Sequence, residues 1–249
     1  MRALDTPALL DAWDRGHSLS ADAWALWLLR TATVKAGAST PAGTLAQWTV
    51  GRRDRALLRL RSLTFGASIN GLADCPGCGA AAEFDMNCDA LAGSPSADDE
   101  PAPAQFEAAG YAVTCRAVTA GDLLAIADCA DVDVASDRLL ERCVDARNAQ
   151  GVRVAHRQLP ADLLADITIR LELADPHADI QLNVRCPACG HGWQVAFDIV
   201  QYFWRELGAW ATRQLRDVHE LASAYGWSEA QILALSPARR QRYLDMLTT

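Results

Sequence analysis

The residues of this chain best suited to chemistry are four cysteines in two copies of one pattern, Cys75-Pro76-Gly77-Cys78-Gly79 and Cys186-Pro187-Ala188-Cys189-Gly190. In each copy two residues separate the thiols, so both sulfurs of one tight turn can reach the same ion. The glycine after the second cysteine suits a turn that needs positive φ. Four thiolates complete the coordination of one tetrahedral metal ion, so Cys75, Cys78, Cys186 and Cys189 are the expected ligands of a single structural Zn2+. A closed set of four sulfurs leaves no position for an activated water, and the ion is expected to scaffold rather than catalyse. Iron is compatible with the same donors. Two partial sites, or two unrelated turns, are the alternatives to one shared site.

The other four cysteines, Cys88, Cys115, Cys129 and Cys143, occur singly in apolar or mixed segments and read as small buried thiols. His191 follows the second knuckle directly, but Cys189 already supplies that turn's ligand, so His191 reads as a solvent-facing turn residue. His17, His156, His177 and His219 share no spacing, and neither a nucleophile–base arrangement nor a phosphate-cradling glycine motif stands out. The chain is therefore read as non-enzymatic.

Composition narrows the setting. A chain of 249 residues that is 51% hydrophobic can build one large domain or two small ones around a sizeable core. Its net charge of −8 lowers the expectation of nucleic acid as the main partner, because such surfaces are usually basic. No apolar run is long enough to span a membrane, and Met1-Arg2-Ala3-Leu4-Asp5 does not open a signal peptide. The expectation is a soluble cytoplasmic protein, and in a reducing compartment paired knuckles favour metal over disulfide.

The elements that must position the cysteines follow from periodicity. Residues 6–36 read as a helical pair, with Leu9, Leu10 and Trp13 on the first helix, a break at Gly16, and Ser20 capping a second that carries Trp24, Trp27 and Leu28. A loop is expected at 37–41 and a helix at 52–64, with Leu57, Leu58, Leu60 and Leu63 apolar. The first knuckle leads into a strand at 83–87, though the strand before it is less clearly marked. The proline-rich acidic stretch 92–104 reads as a mobile loop. A hairpin turning at Gly110 is expected over 105–118, then helices at 120–129, 136–148 and 160–173. Strands at 179–185 and 192–198 flank the second knuckle, the shape of a zinc-ribbon hairpin. A long helix at 201–225 places Trp204, Leu207, Ala211, Leu215, Val218, Ala222 and Tyr225 on one stripe. Gly226 ends it, Ser228 and Gln231 form a capping box, and Ser236-Pro237 opens a last helix. The fold class is α+β, mostly helical, with a small antiparallel zinc-ribbon-like region clipped by the four-cysteine site. Three regions are expected, 1–74, 75–200 and 201–249.

Candidate partner-binding residues come from charge and aromatic placement. Arg52, Arg55 and Arg59 fall on one helical face, which reads either as a solvated surface or as a docking surface for an acidic partner. Arg239 and Arg240 form a second basic cluster near the C-terminus. Trp210, off the apolar stripe of its helix, and Trp227 are candidate interface aromatics.

Several segments together carry a family resemblance. They are Val50-Gly51-Arg52-Arg53-Asp54-Arg55, Phe65-Gly66 before the first knuckle, His191-Gly192-Trp193 after the second, Tyr225-Gly226-Trp227-Ser228-Glu229, and Arg239-Arg240-Gln241-Arg242-Tyr243-Leu244. The chain resembles a zinc-knuckle family of phage-tail-like contractile injection systems, related to the baseplate hub assembly chaperones of contractile-tail phages. The resemblance covers most of residues 45–90 and 175–247. It implies an assembly factor or structural component whose partners are baseplate, hub or spike proteins. The rival reading is a zinc-ribbon nucleic-acid-binding regulator, which the ribbon and the arginine clusters support and the net charge opposes.

Overall fold

The computed structural model describes residues 1–33, 42–93 and 101–247. The expected loop 37–41 and the middle of the expected acidic loop, 94–100, lie outside the described residues. In chain order the elements are α1 (Thr6–Gly16), α2 (Ala21–Thr33), α3 (Ala42–Ala46), α4 (Val50–Phe65), β1 (Ser68–Asp74), β2 (Ala81–Asn87), α5 (Cys88–Ala92), β3 (Ala104–Ala108) and β4 (Tyr111–Cys115). They continue as α6 (Ala120–Ile126), α7 (Val132–Cys143), β5 (Val144–Arg147), β6 (Arg153–Val154), a 3-10 turn at His156–Gln158, α8 (Ala161–Ala174), β7 (Ile180–Arg185), β8 (Gly192–Phe197), α9 (Ile199–Tyr225), α10 (Glu229–Leu233) and α11 (Pro237–Leu247). The chain is α+β and mostly helical, with small antiparallel sheets. No helix among the described residues is long and apolar enough to cross a membrane.

The chain divides into two compact units, one made of Met1–Ala3 with Leu19–Val200, the other of Leu4–Ser18 with Gln201–Thr249. In the first unit, α2 packs on α4. Trp24, Leu28 and Leu29 from α2 and Leu57, Leu58 and Leu60 from α4 are all buried. Leu63, expected on the same face, is 54% exposed. A four-stranded meander, β3-β4-β5-β6, buries Val113, Cys115, Val144 and Ala146 against Leu163 and Ile167 of α8. Residues 144–147, read from sequence as the end of a helix, form β5 instead. The pairing of Val113 with Ala146 and Cys115 with Val144 explains the difference, because the edge of β4 offers this segment a ladder and a buried face that local propensity does not record. β1–β2 and β7–β8 are separate two-stranded hairpins. The strand before the first knuckle, less clearly marked in the sequence, runs from Ser68 to Asp74 and pairs along its whole length with the one after it.

In the second unit, α1 lies against α9. A Cβ at Gly16 would fall 2.1 Å from the Trp204 ring, so only glycine permits this approach. His17 sits edge-on between Trp13 and Trp204, with ring centroids 4.9 and 5.3 Å away. From Gln201 onward the buried positions of α9 are Phe203, Leu207, Ala211 and Leu221, while Leu215 and Tyr225 of the expected stripe are each 38% exposed. A second small core joins Leu221, Ile232 and Leu244, with Val218, Trp227 and Tyr243 packed on it. Gly226 at φ 67° ends α9, and Ser228 with Gln231 forms the expected capping box.

Buried charge ties the helices of the first unit together. The backbone N–H of Gly51, in the first turn of α4, donates to Asp175 Oδ2 at 2.7 Å, so a carboxylate 124 residues away caps this helix. A Cβ at Gly51 would lie 2.1 Å from Asp175 Oδ1. Arg53, buried on α4, donates through Nε to Asp54 at 2.8 Å and through Nη1 to Asp22 of α2 at 2.5 Å. Burial pushes the Asp54 carboxyl up to about 6 against the pull of Arg53, with Asp198 and Asp175 adding to the rise. Asp122, 1% exposed, accepts from Arg116 at 2.6 and 3.0 Å, from Arg142 at 2.7 Å, and from the backbone and hydroxyl of Thr119 at 2.9 and 2.8 Å. Burial alone would raise it, but hydrogen bonds from Arg116, Thr119 and Arg142 outweigh that and hold it well below the usual carboxylate range.

These contacts can be tested by substitution. Asp122→Asn will lower stability by about 3 kcal/mol in denaturant unfolding, because it leaves two guanidinium groups around a neutral amide. The folded pKa is depressed, so the contribution of Asp122 is fully present above an unfolded carboxylate pKa of about 4 and is lost as pH falls below it; acid unfolding of the wild type, weakened in the variant, reads this out. Gly51→Ala will destabilise by about 1–3 kcal/mol through overpacking against Asp175, measured as a lowered melting temperature.

Candidate metal centre

The two knuckles are built alike. Each sits between strands whose last pair is in register, Asp74 with Ala81 and Arg185 with Gly192. In the first, the Cys75 N–H donates to Ala80 O at 3.0 Å and the Gly79 N–H donates to Cys75 O at 2.8 Å. In the second, the Cys186 N–H donates to His191 O at 2.8 Å and the Gly190 N–H donates to Cys186 O at 3.0 Å. Gly79 and Gly190 close these turns at φ 72° and 74°, where a side chain would be strained. The proline in each motif occupies a turn position, where no ladder hydrogen bond is lost.

The turns bring four sulfurs to one point. All four ligand atoms lie within 4.8 Å of one another. Two pairs join the ribbons, Cys75 to Cys189 and Cys78 to Cys186, each at 3.7 Å. A tetrahedral ion with metal–sulfur bonds of about 2.3 Å sets its sulfurs about 3.8 Å apart, which is the spacing of these two pairs. A disulfide would need about 2 Å. Cys75 and Cys186 are buried and Cys78 and Cys189 exposed, so the site lies at the surface with one sulfur of each knuckle inward.

The two thiols of the second knuckle are perturbed in opposite directions. The backbone N–H of Cys189 draws the Cys186 thiol down to about 7, with Ala188 helping. At Cys189 the His191 N–H pulls the same way, but the Cys78 thiol, burial and the thiols of Cys186 and Cys75 outweigh it and push Cys189 up to about 12. A divalent cation at this point would favour the thiolate form of all four. The four cysteines could hold a metal ion, and they offer it no open position for substrate.

The remaining expected residues scatter. Cys88, Cys115 and Cys143 are buried and Cys129 is half-buried. Burial pushes the Cys143 thiol up to about 11, which keeps it protonated. His191 is exposed and stacks on Trp193 at 6.3 Å. The arginine face of α4 is largely internal: Arg55 is 7% exposed and Arg53 and Arg61 less, because the helix is covered on most sides. Arg52 lies over the Trp48 ring at 4.4 Å, and Arg59 donates to Gly93 O at 3.3 Å. Arg240 is 4% exposed, its Nε 3.9 Å from Asp217 Oδ2. Arg55 and Arg240 are therefore corrected from surface candidates to interior residues. Arg239 is exposed, Trp210 is half-buried, and Trp227 stacks on Tyr225 at 4.8 Å and meets Tyr243 edge-on at 4.9 Å. The sequence reading missed Asp175, Asp122 and the contact of His156 with Asp137, since each depends on partners that only folding brings near.

The shared site makes a direct prediction. If the four sulfurs hold one ion, Cys75→Ser and Cys186→Ser will each lose it and lower the melting temperature, because the binding energy of such an ion adds to folding. Cys129→Ser will keep the full metal content. Metal analysis with thermal unfolding checks both, and a Cys75→Ser protein with wild-type metal and melting would break the one-site description.

Comparison with known proteins adds a family. Residues 38–204, more than half of the chain, match the family described as T4 bacteriophage base plate protein. The match includes both knuckles and ends just inside α9, so the C-terminal segments from 218 onward lie beyond it. No curated protein and no solved structure matches the chain. With the match spanning the whole four-cysteine cluster and the folds that carry it, the chain belongs to the T4 bacteriophage base plate protein family.

Proposed function

We propose that this protein is a non-enzymatic assembly factor or structural component of the baseplate or hub of a phage-tail-like contractile injection particle, with one structural zinc clipping its two ribbons. The family match over residues 38–204 carries the reading. The four-sulfur cluster supports zinc as the ion, because four thiolates at tetrahedral spacing suit it and leave no catalytic position. The metal's task in this reading is mechanical, since it fixes two hairpins far apart in sequence so that the surfaces beside them keep one shape. The partners are baseplate, hub or spike subunits, met in the cytoplasm where particles assemble. Exposed Arg239 and half-buried Arg52, Arg59, Trp210 and Trp227 are the residues from which a partner surface would be drawn.

Affinity purification of the tagged protein from cells carrying its native gene cluster, with mass spectrometry and metal analysis of the same sample, tests this. The expected result is co-purification of hub, spike or baseplate subunits with about one zinc per chain. Recovery of DNA or polymerase without any particle subunit would overturn it in favour of a regulator.

A further inference from the structure

Away from the cysteine cluster, the first unit has a cavity of about 560 Å³ at the C-terminal end of α7, beside the β5–β6 hairpin. Its walls are of two kinds. Leu140, Val144, Val154 and Ala155 are apolar, while Arg142, Arg153 and His156 bring cationic or titratable groups. Each of these three belongs to a different ion-pair cluster, and in every cluster one carboxylate serves two nitrogen bases. Asp122 serves Arg116 and Arg142. Asp145 serves Arg147 at 3.0 Å and Arg153 at 3.2 Å. Asp137 serves His156 at 2.7 Å and also pairs with Arg157.

Positive charge is therefore in excess around this cavity. Arg116, Arg142, Arg147, Arg153 and Arg157 face Asp122, Asp137, Asp145 and the lining residue Glu141, within a chain whose net charge is −8. His156 in the same wall is 7% exposed and its Nε2 is held by Asp137, which fixes the ring in place. Arg153 is held in place from behind, because its Nη2 donates to Glu141 O at 3.1 Å and Val144 O at 3.4 Å. Its guanidinium is thus oriented before any ligand arrives, which lowers the ordering cost of binding.

We propose that this cavity receives a carboxylate-bearing, partly apolar segment of a partner protein. An acidic side chain would reach the Arg153 guanidinium, whose side chain stays 60% exposed beside Asp145, in a charge-assisted hydrogen bond, and a neighbouring aliphatic residue would cover Leu140, Val144 and Val154. The apolar half of the wall and the partial neutralisation of every arginine disfavour a phosphate backbone, which requires an open row of unpaired cations. The site is separate in chemistry from the four sulfurs and holds whichever subunit supplies the segment.

Fluorescence anisotropy on the full-length protein, with a labelled peptide alternating glutamate and leucine, provides the test. The peptide is expected to bind, to weaken as salt is raised, and to lose affinity about tenfold when Arg153→Gln removes one charge-assisted contact. The same peptide with glutamine for glutamate is expected to bind at least as weakly. Amide shift mapping on the unmodified protein gives a second readout free of folding effects, with changes expected at Val144, Val154 and Ala155. Equal binding of both peptides, shifts confined elsewhere, or preference for a short oligonucleotide would overturn the proposal.

Discussion

The sulfurs of Cys75 and Cys189 lie 3.7 Å apart although 114 residues separate them in sequence, and the pair Cys78 and Cys186 repeats the arrangement across 108. Closing a loop of that length costs about 4 kcal/mol of chain entropy. Two isolated two-stranded hairpins cannot offset this by themselves, since such hairpins are marginal in water. A structural zinc bound by these four sulfurs would contribute on the order of 10 kcal/mol to folding, well above the closure cost. The meeting of the four sulfurs is the constraint on the two ribbons, and everything between residues 79 and 185 is folded as an excursion that returns to it.

That excursion is held by buried charge as well as by apolar packing. The Asp175 carboxylate caps α4 from the end of α8, and Gly51 exists at that position because nothing larger fits beneath the carboxylate. Asp122 joins α6, α7 and the end of β4 through two arginines. Arg53 binds α4 to α2 through Asp22. Removing one member of such a pair is costly because the other stays buried without compensation. The arginine-rich face of α4 thus works mainly inside the molecule, and its sequence, which looks like a docking surface, is a structural device.

Asp122, Asp137 and Asp145 each pair with two nitrogen bases, and a cavity opens beside these three clusters. In the second unit Tyr225, Trp227 and Tyr243 gather around the end of α9, where aromatic packing stabilises a small core that hydrophobic area alone would leave weak.

The features legible in the chain before folding are local: the two knuckles and their candidate ligands, the helix caps at Ser20, Ser228 and Ser236, the hairpin at Gly110, and the α+β class. These depend on residues a few positions apart, whose turn chemistry and periodicity are written in the chain. Folding in three dimensions settled which arginines face inward, that residues 144–147 pair with β4 rather than extend α7, and that Asp175, Asp122 and His156 find their partners. A charged side chain reads the same in sequence whether solvent or a distant carboxylate neutralises it, and only the packing of elements remote in sequence settles which of the two it meets.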